Sequence, residues 1–146
     1  TDRRFTRTRL RMDVLPVLED VLGGGVAEAL ARTAAALRED TDLLDGLAEQ
    51  VLAQLAPDPP HLPATLEVAA LTAVPGPIRR RVIRRWLLAG GATGLTDQQI
   101  RRVDALVTDW RGRGGVAVGS ALPRQRLIAA RGGGVLLLRT EPIAGR

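Results

Sequence analysis

Along most of the chain, apolar residues return at helical spacing. Leu10, Val14, Val17, Leu18 and Val21 fall on one face of a helix predicted from about Arg7 to Leu22. Pro16 has no amide donor and crowds the carbonyl of Met12, so a kink or a restart is expected there. Gly23, Gly24 and Gly25 stop the helix; without a preceding strand or a following Lys-Ser/Thr they read as a turn, not a phosphate cradle. The second predicted helix, Val26 to Ala56, is the clearest element. Leu30, Leu37, Leu44 and Val51 recur every seven residues, and Ala34, Thr41, Ala48 and Leu55 follow four positions after each. At about 1.5 Å per residue it would be roughly 45 Å long. Its other face carries Glu39, Asp42 and Glu49, so the stripe is expected to pack in a bundle or as a dimer seam.

Four prolines between Pro57 and Pro63, around the one histidine, His61, predict a stiff extended link. Leu66, Val68, Ala69, Leu71 and Val74 predict a short helix, and Pro77 sits well at the start of another that runs to Leu88. Thr96-Asp97-Gln98-Gln99 has the form of a capping box, opening a helix with Ile100, Val103, Val107 and Trp110 along one side. From Gly112 the period changes. Val116 to Val118, Leu127 to Ala129 and Val135 to Leu138 are short β-type runs separated by Gly, Ser and Pro, which predicts a three-stranded meander packed on the helices and a frayed end from Ile143. The expected fold is mainly α: a helical bundle with one long helix, plus a small C-terminal antiparallel β meander. Residues 1–25 would be an entry helix with a basic N-terminal segment, 26–111 a helical binding domain and 112–146 a small β appendage.

Composition narrows the chemistry. With 146 residues the chain can bury roughly two-thirds of its unfolded surface. Apolar residues are 45% of it, yet Phe5, Trp86 and Trp110 are the only aromatics, which disfavours a single-strand binder built on stacking platforms. Cysteine is absent, so disulfides, thiolate metal sites and Cys nucleophiles are excluded, and one histidine cannot build a zinc site. No apolar run approaches the about eighteen residues that span a bilayer, and no signal-peptide pattern is seen, so a cytoplasmic protein without a membrane partner is expected. All 21 basic residues are Arg, and residues with AT-rich codons are scarce throughout, which assigns the bias to a GC-rich genome before any function.

Charge is segregated. Residues 1–11 carry five Arg against one acid, residues 12–58 two Arg against ten acids, and residues 59–146 fourteen Arg against five acids. Two basic regions flank an acidic one, which suits orientation on a large anionic partner. The densest basic run is Arg79-Arg80-Arg81-Val82-Ile83-Arg84-Arg85-Trp86-Leu87. Helical placement gathers Arg80, Arg81, Arg84 and Arg85 on one half and Ile78, Val82, Ile83, Trp86 and Leu87 on the other. Arg79 falls among the apolar side chains, where its guanidinium must reach a carboxylate, a carbonyl or the rim. No acid lies between Glu67 and Asp97, so the like charges need neutralising from elsewhere. The acidic second helix could do so internally, a phosphate backbone externally; a plainly solvated face is the competing reading. Arg124, Arg126, Arg131 and Arg139 would extend the same footprint.

Arg7, Leu10, Arg11, Val14, Leu15, Pro16 and Leu18 fit the pattern Arg-Asn-x-(Ile/Leu)-Arg-x-x-Val-(Ile/Leu)-Pro-x-Leu, with Thr8 in place of the usual Asn. Arg79, Ile83, Arg84, Trp86 and Leu87 fit Arg-x-x-x-(Ile/Leu)-Arg-x-Trp-Leu. Both resemble signatures of the tRNA(Ile)-lysidine synthetases, in which the first follows the ATP-binding domain. The resemblance implies a chain that starts mid-protein, the non-catalytic specificity half of an enzyme that converts the wobble cytidine of tRNA(Ile) to lysidine. ATP and Mg would belong to the absent N-terminal domain, whose Ser-Gly-Gly-x-Asp-Ser loop has no counterpart here; no catalytic residue and no metal ligand is assigned. The implied partners are tRNA(Ile) and that ATP-binding domain. Candidate phosphate contacts are Arg7, Arg9, Arg11, Arg80, Arg84 and Arg85, then Arg124 and Arg126, with Arg11 also suited to bracing the absent domain. Two other classes stay open: a DNA-binding regulator reading bases with Gln98, Gln99, Arg101 and Arg102 after the Gly90–Leu95 turn, and a module that homodimerises through the long-helix stripe.

Overall fold

The computed structural model describes residues 5–55, 64–112 and 114–143; the proline-rich link and His61 lie outside them. The chain divides into two compact units, residues 1–43 and 44–146, with the boundary inside the long helix.

In the first unit, helix α1 (Thr6–Arg9) passes through a π-helical stretch, Leu10–Val14, into α2 (Leu15–Val21). The Leu15 amide donates to the Leu10 carbonyl, five residues back, and Pro16 occupies the first turn of α2. The extra residue in the turn absorbs the donor that proline lacks, so the irregularity expected at Pro16, a kink or a restart, takes the form of a π-bulge. Gly23, Gly24 and Gly25 all have positive φ, 77°, 94° and 79°, a run that side-chain-bearing residues adopt only at a cost. Helix α3 (Val26–Leu55) follows. Its start is capped from α2: the Val26 and Ala27 amides donate to the two Glu19 carboxylate oxygens at 3.1 and 2.7 Å. None of the described residues 5–43 is buried, and Leu10, Val14, Leu18, Leu30 and Leu37 all remain exposed.

The second unit holds the core. After the end of α3 come β1 (Thr65–Glu67), α4 (Val68–Thr72), α5 (Gly76–Ala89), β2 (Ala92–Thr93), α6 (Asp97–Thr108), β3 (Gly115–Ser120), β4 (Gln125–Gly132) and β5 (Val135–Pro142). The strands form one five-stranded sheet in the order β1-β5-β4-β3-β2, with every pairing antiparallel. Gly133 and Gly134, φ 57° and 80°, make the two-residue turn between β4 and β5. Leu66, Leu71, Val82, Ile83, Leu87, Val103 and Leu136 are fully enclosed, joined by Trp86 and by Ala48 and Leu52 of α3.

This corrects the expected fold class. The protein is not a helical bundle with a small meander but a set of helices packed with a substantial sheet. The three C-terminal strands form as expected; two more join them from the region expected to be helical or turn. Leu66 pairs opposite Leu136 and Ala92 opposite Ser120. Strands of three and two residues are too short to show a period of two, and their pairing partners lie far along the chain. The long-helix stripe is only half used: Ala48 is buried and Val51 and Leu55 pack against the core. Only Ala48 and Leu52 of α3 are buried, while Leu30 and Leu37 stay 57% and 59% exposed.

Gly119 shows how closely β2 lies on β3. A Cβ there would collide with the Thr93 carbonyl oxygen, a backbone atom that cannot swing away. Gly119→Ala is therefore expected to break the β2–β3 pairing and cost roughly 1–3 kcal/mol, read as a lowered thermal midpoint by circular dichroism; an unchanged midpoint would show that β2 contributes nothing to stability.

Candidate nucleic-acid interface

Helix α5 is the platform. Pro75 and Pro77 set its start and Gly90 its end, and Val82, Ile83, Trp86 and Leu87 bury one side. The five arginines of the helix then separate by what they touch. Arg79 turns inward: its Nε donates to Asp104 Oδ1 at 2.5 Å, Nη2 to Oδ2 at 3.3 Å, and Nη1 to the Val74 carbonyl at 3.0 Å. The sequence foresaw that Arg79 needs such partners but not that α6 would supply the carboxylate.

Arg81 and Arg85 reach the acidic end of α3. Arg81 Nε donates to Asp45 at 2.8 Å and Arg85 Nη1 to Glu49 at 2.6 Å. The internal neutralisation weighed from sequence thus operates on this edge, and Arg85 is partly engaged. Arg80 and Arg84 lie toward α6. Arg80 Nη1 stands 3.6 Å from Asp104 Oδ2, beyond hydrogen-bond reach, and only 3.0 Å from where a Cβ on Gly76 would sit, so the bare glycine makes room for the guanidinium. Arg84 is exposed and has no hydrogen bond or ion pair among the described residues.

Helix α6 closes the other wall. Thr96 and Gln99 form the expected capping box, and Arg101 Nε donates to Asp97 Oδ2 at 2.6 Å. That hydrogen bond, with the carboxylate's charge, raises the Arg101 pKa further and keeps it a cation. Between the helices runs a groove of about 290 Å³ lined by Pro77, Arg80, Arg81, Arg84, Asp97, Ile100 and Arg101. Four guanidiniums face one carboxylate. Arg101 was expected only as a base-contacting residue; its spacing from Asp97 signals the pair within α6, but no local signal places it beside α5.

The remaining candidates lie elsewhere. Arg7 and Arg11 share an aliphatic concavity of about 360 Å³ with Leu10, Val14, Leu15, Leu18 and Leu30, while Arg9 borders a smaller one beside Asp13. Arg124, the sole non-glycine with positive φ among the described residues, is exposed in the β3–β4 turn; Arg126 is exposed on β4 opposite Glu141. Neither lines the α5–α6 groove. Arg131 is structural: Nη1 donates to the Leu106 and Val107 carbonyls at the end of α6, and the guanidinium lies 4.7 Å from the Trp110 ring centroid. Arg139 pairs with Glu141 at 3.3 Å. Among the described residues no cluster of three or more His, Cys, Asp or Glu could hold a metal ion, and no helix is long and apolar enough to cross a membrane.

Such a surface offers charge and shape, so the fold and the groove define a binding domain suited to an anionic partner. Residues 66–131 match the family model described as TilS substrate binding domain. It is 69% identical over 143 residues to a tRNA(Ile)-lysidine synthase of Mycobacterium tuberculosis, across 98% of this chain and 44% of that protein. The same-named protein of Mycobacterium leprae is 64% identical, across 98% of the chain and 43% of the relative. That of Rhodococcus erythropolis is 56% identical over 137 residues, 94% and 41%. The chain thus spans less than half the length of these relatives.

Proposed function

We propose that the chain is the tRNA-docking part of a tRNA(Ile)-lysidine synthase. Lysidine formation itself, with ATP and Mg, belongs in this reading to an ATP-binding domain that the 146 residues do not contain. The glycine triplets here do not fit the nucleotide. The first amides of α3, beyond Gly25, are taken by the Glu19 carboxylate, which would repel a phosphate, and Gly132 to Gly134 belong to a hairpin turn.

The carrying observation is the α5–α6 groove, where Arg80 and Arg84 present guanidiniums that the protein's own carboxylates do not hydrogen-bond. Phosphate oxygens of a folded RNA would complete them, and the wide shallow groove of an A-form stem presents such phosphates in rows. Arg7, Arg9 and Arg11 are proposed to add contacts from residues 1–43, Arg124 and Arg126 from the β3–β4 edge, and Arg85 when Glu49 releases it.

In a titration of the chain with tRNA(Ile), begun at low ionic strength, Arg80→Glu with Arg84→Glu is expected to weaken binding about tenfold or more. It should also flatten the log–log salt dependence by about 0.7–0.9 per lost phosphate contact. Unchanged affinity and slope would return the cluster to a solvated face.

A further inference from the structure

We infer that the α5–α6 groove is a seat for one RNA backbone phosphodiester, and that Asp97 occupies it as a stand-in anion, holding Arg101 in reserve until the phosphate displaces it. The inference rests on the RNA-docking reading and deepens it by naming what the groove takes and what competes for it.

Among the described residues Asp97 is the one carboxylate lining the groove, and it takes its hydrogen bond from one of the four guanidiniums there. Both partners of that pair are largely exposed, with side chains 74% and 62% accessible for Asp97 and Arg101. An exposed i,i+4 pair of this kind is worth little and exchanges readily with solvent or another anion. A phosphate with two free oxygens is the stronger acceptor for several guanidiniums at once, because it can take forked donors from more than one of them. Arg84 is unengaged, Arg80 is braced from behind by Asp104 and by the gap at Gly76, and Arg101 becomes available when it leaves Asp97. Helix α6 does not depend on Asp97 for its cap, since Thr96 and Gln99 form the capping box.

The consequence is a gain of binding by removal of a charged side chain. Asp97→Asn should tighten tRNA(Ile) binding about threefold to tenfold at low salt and steepen the salt slope, since no displaced carboxylate is left beside the phosphate to take up a cation. Asp109→Asn is the control: it makes the same change in net charge at an exposed acid paired with Arg111, outside the groove. It should change binding by less than about twofold. Arg101→Ala, which leaves the start of α6 intact, should weaken binding and cancel the gain when combined with Asp97→Asn. A gain in Asp97→Asn that is absent in Asp109→Asn and abolished by Arg101→Ala supports the seat. Equal effects of the two Asp→Asn changes, or no gain at all, overturns it, and the docking reading survives if Arg80→Glu with Arg84→Glu still weakens binding. Loss of that last effect would instead remove the docking reading itself.

Discussion

Asp104→Ala is expected to cost about 3–5 kcal/mol of stability in residues 44–146, the penalty for leaving a buried charge without its partner. Asp104 and Arg79 each keep only 11% of their side-chain surface exposed, and the two share paired hydrogen bonds. With the carboxylate gone, the Arg79 guanidinium would keep the Val74 carbonyl and little else. The neighbouring pairs make the contrast. Asp45 and Glu49 are 43% and 62% exposed in their bridges to Arg81 and Arg85, so neutralising either should cost at most about 1 kcal/mol. Urea unfolding followed by far-UV circular dichroism measures all three. Replacing both buried partners, Arg79→Met with Asp104→Leu, should restore much of the loss, because two apolar side chains leave no orphaned charge. A single Asp104→Ala loss below about 1 kcal/mol would mean that water reaches Arg79 and that the pair is not a structural bolt. The same substitution removes the brace behind Arg80, so RNA binding at temperatures where the variant stays folded should also weaken.

What the sequence disclosed depends on how local the cause is. The long helix was legible because a seven-residue repeat persists over its length, and Val26–Leu55 is helical as expected. The capping box was legible from four adjacent residues, and a kink or a restart from the position of Pro16, though not its π-helical form. The family resemblance, carried by a dozen residues, is borne out by the relatives. The five-stranded sheet was not legible, since Thr65–Glu67 and Ala92–Thr93 become strands only through partners far along the chain. Nor was the Glu19 cap on α3, which acts across seven and eight residues through a glycine turn. For the candidate site, the sequence identified α5 as a two-faced helix and Arg79 as an inward residue. It could not divide the outer arginines into those held by α3 and those left for a ligand, because that division is made by Asp45, Glu49 and Asp104, residues 24 to 36 positions away.

Trp86→Ala is expected to destabilise the same unit by about 3–5 kcal/mol, the cost of a large cavity where collapse is resisted on all sides. Trp86 is 2% exposed, and Ile83, Leu87 and Val82 on the same helix are completely enclosed. Those positions explain what the second signature describes. Of its five residues, Arg79, Ile83, Trp86 and Leu87 are buried, and only Arg84 faces outward. The motif is therefore mostly a rule for seating α5 in its core, which then fixes where Arg80 and Arg84 stand relative to α6. Trp86→Phe keeps most of the buried surface and should cost less than half as much as alanine. If packing sets the arginine geometry, tRNA affinity should fall with the stability of the unit through this series, alanine more than phenylalanine, although neither variant changes a charge. A Trp86→Ala chain that is destabilised as expected yet binds tRNA(Ile) with wild-type affinity and salt slope would show instead that the arginines need no rigid base, and that α5 serves as a flexible polycation.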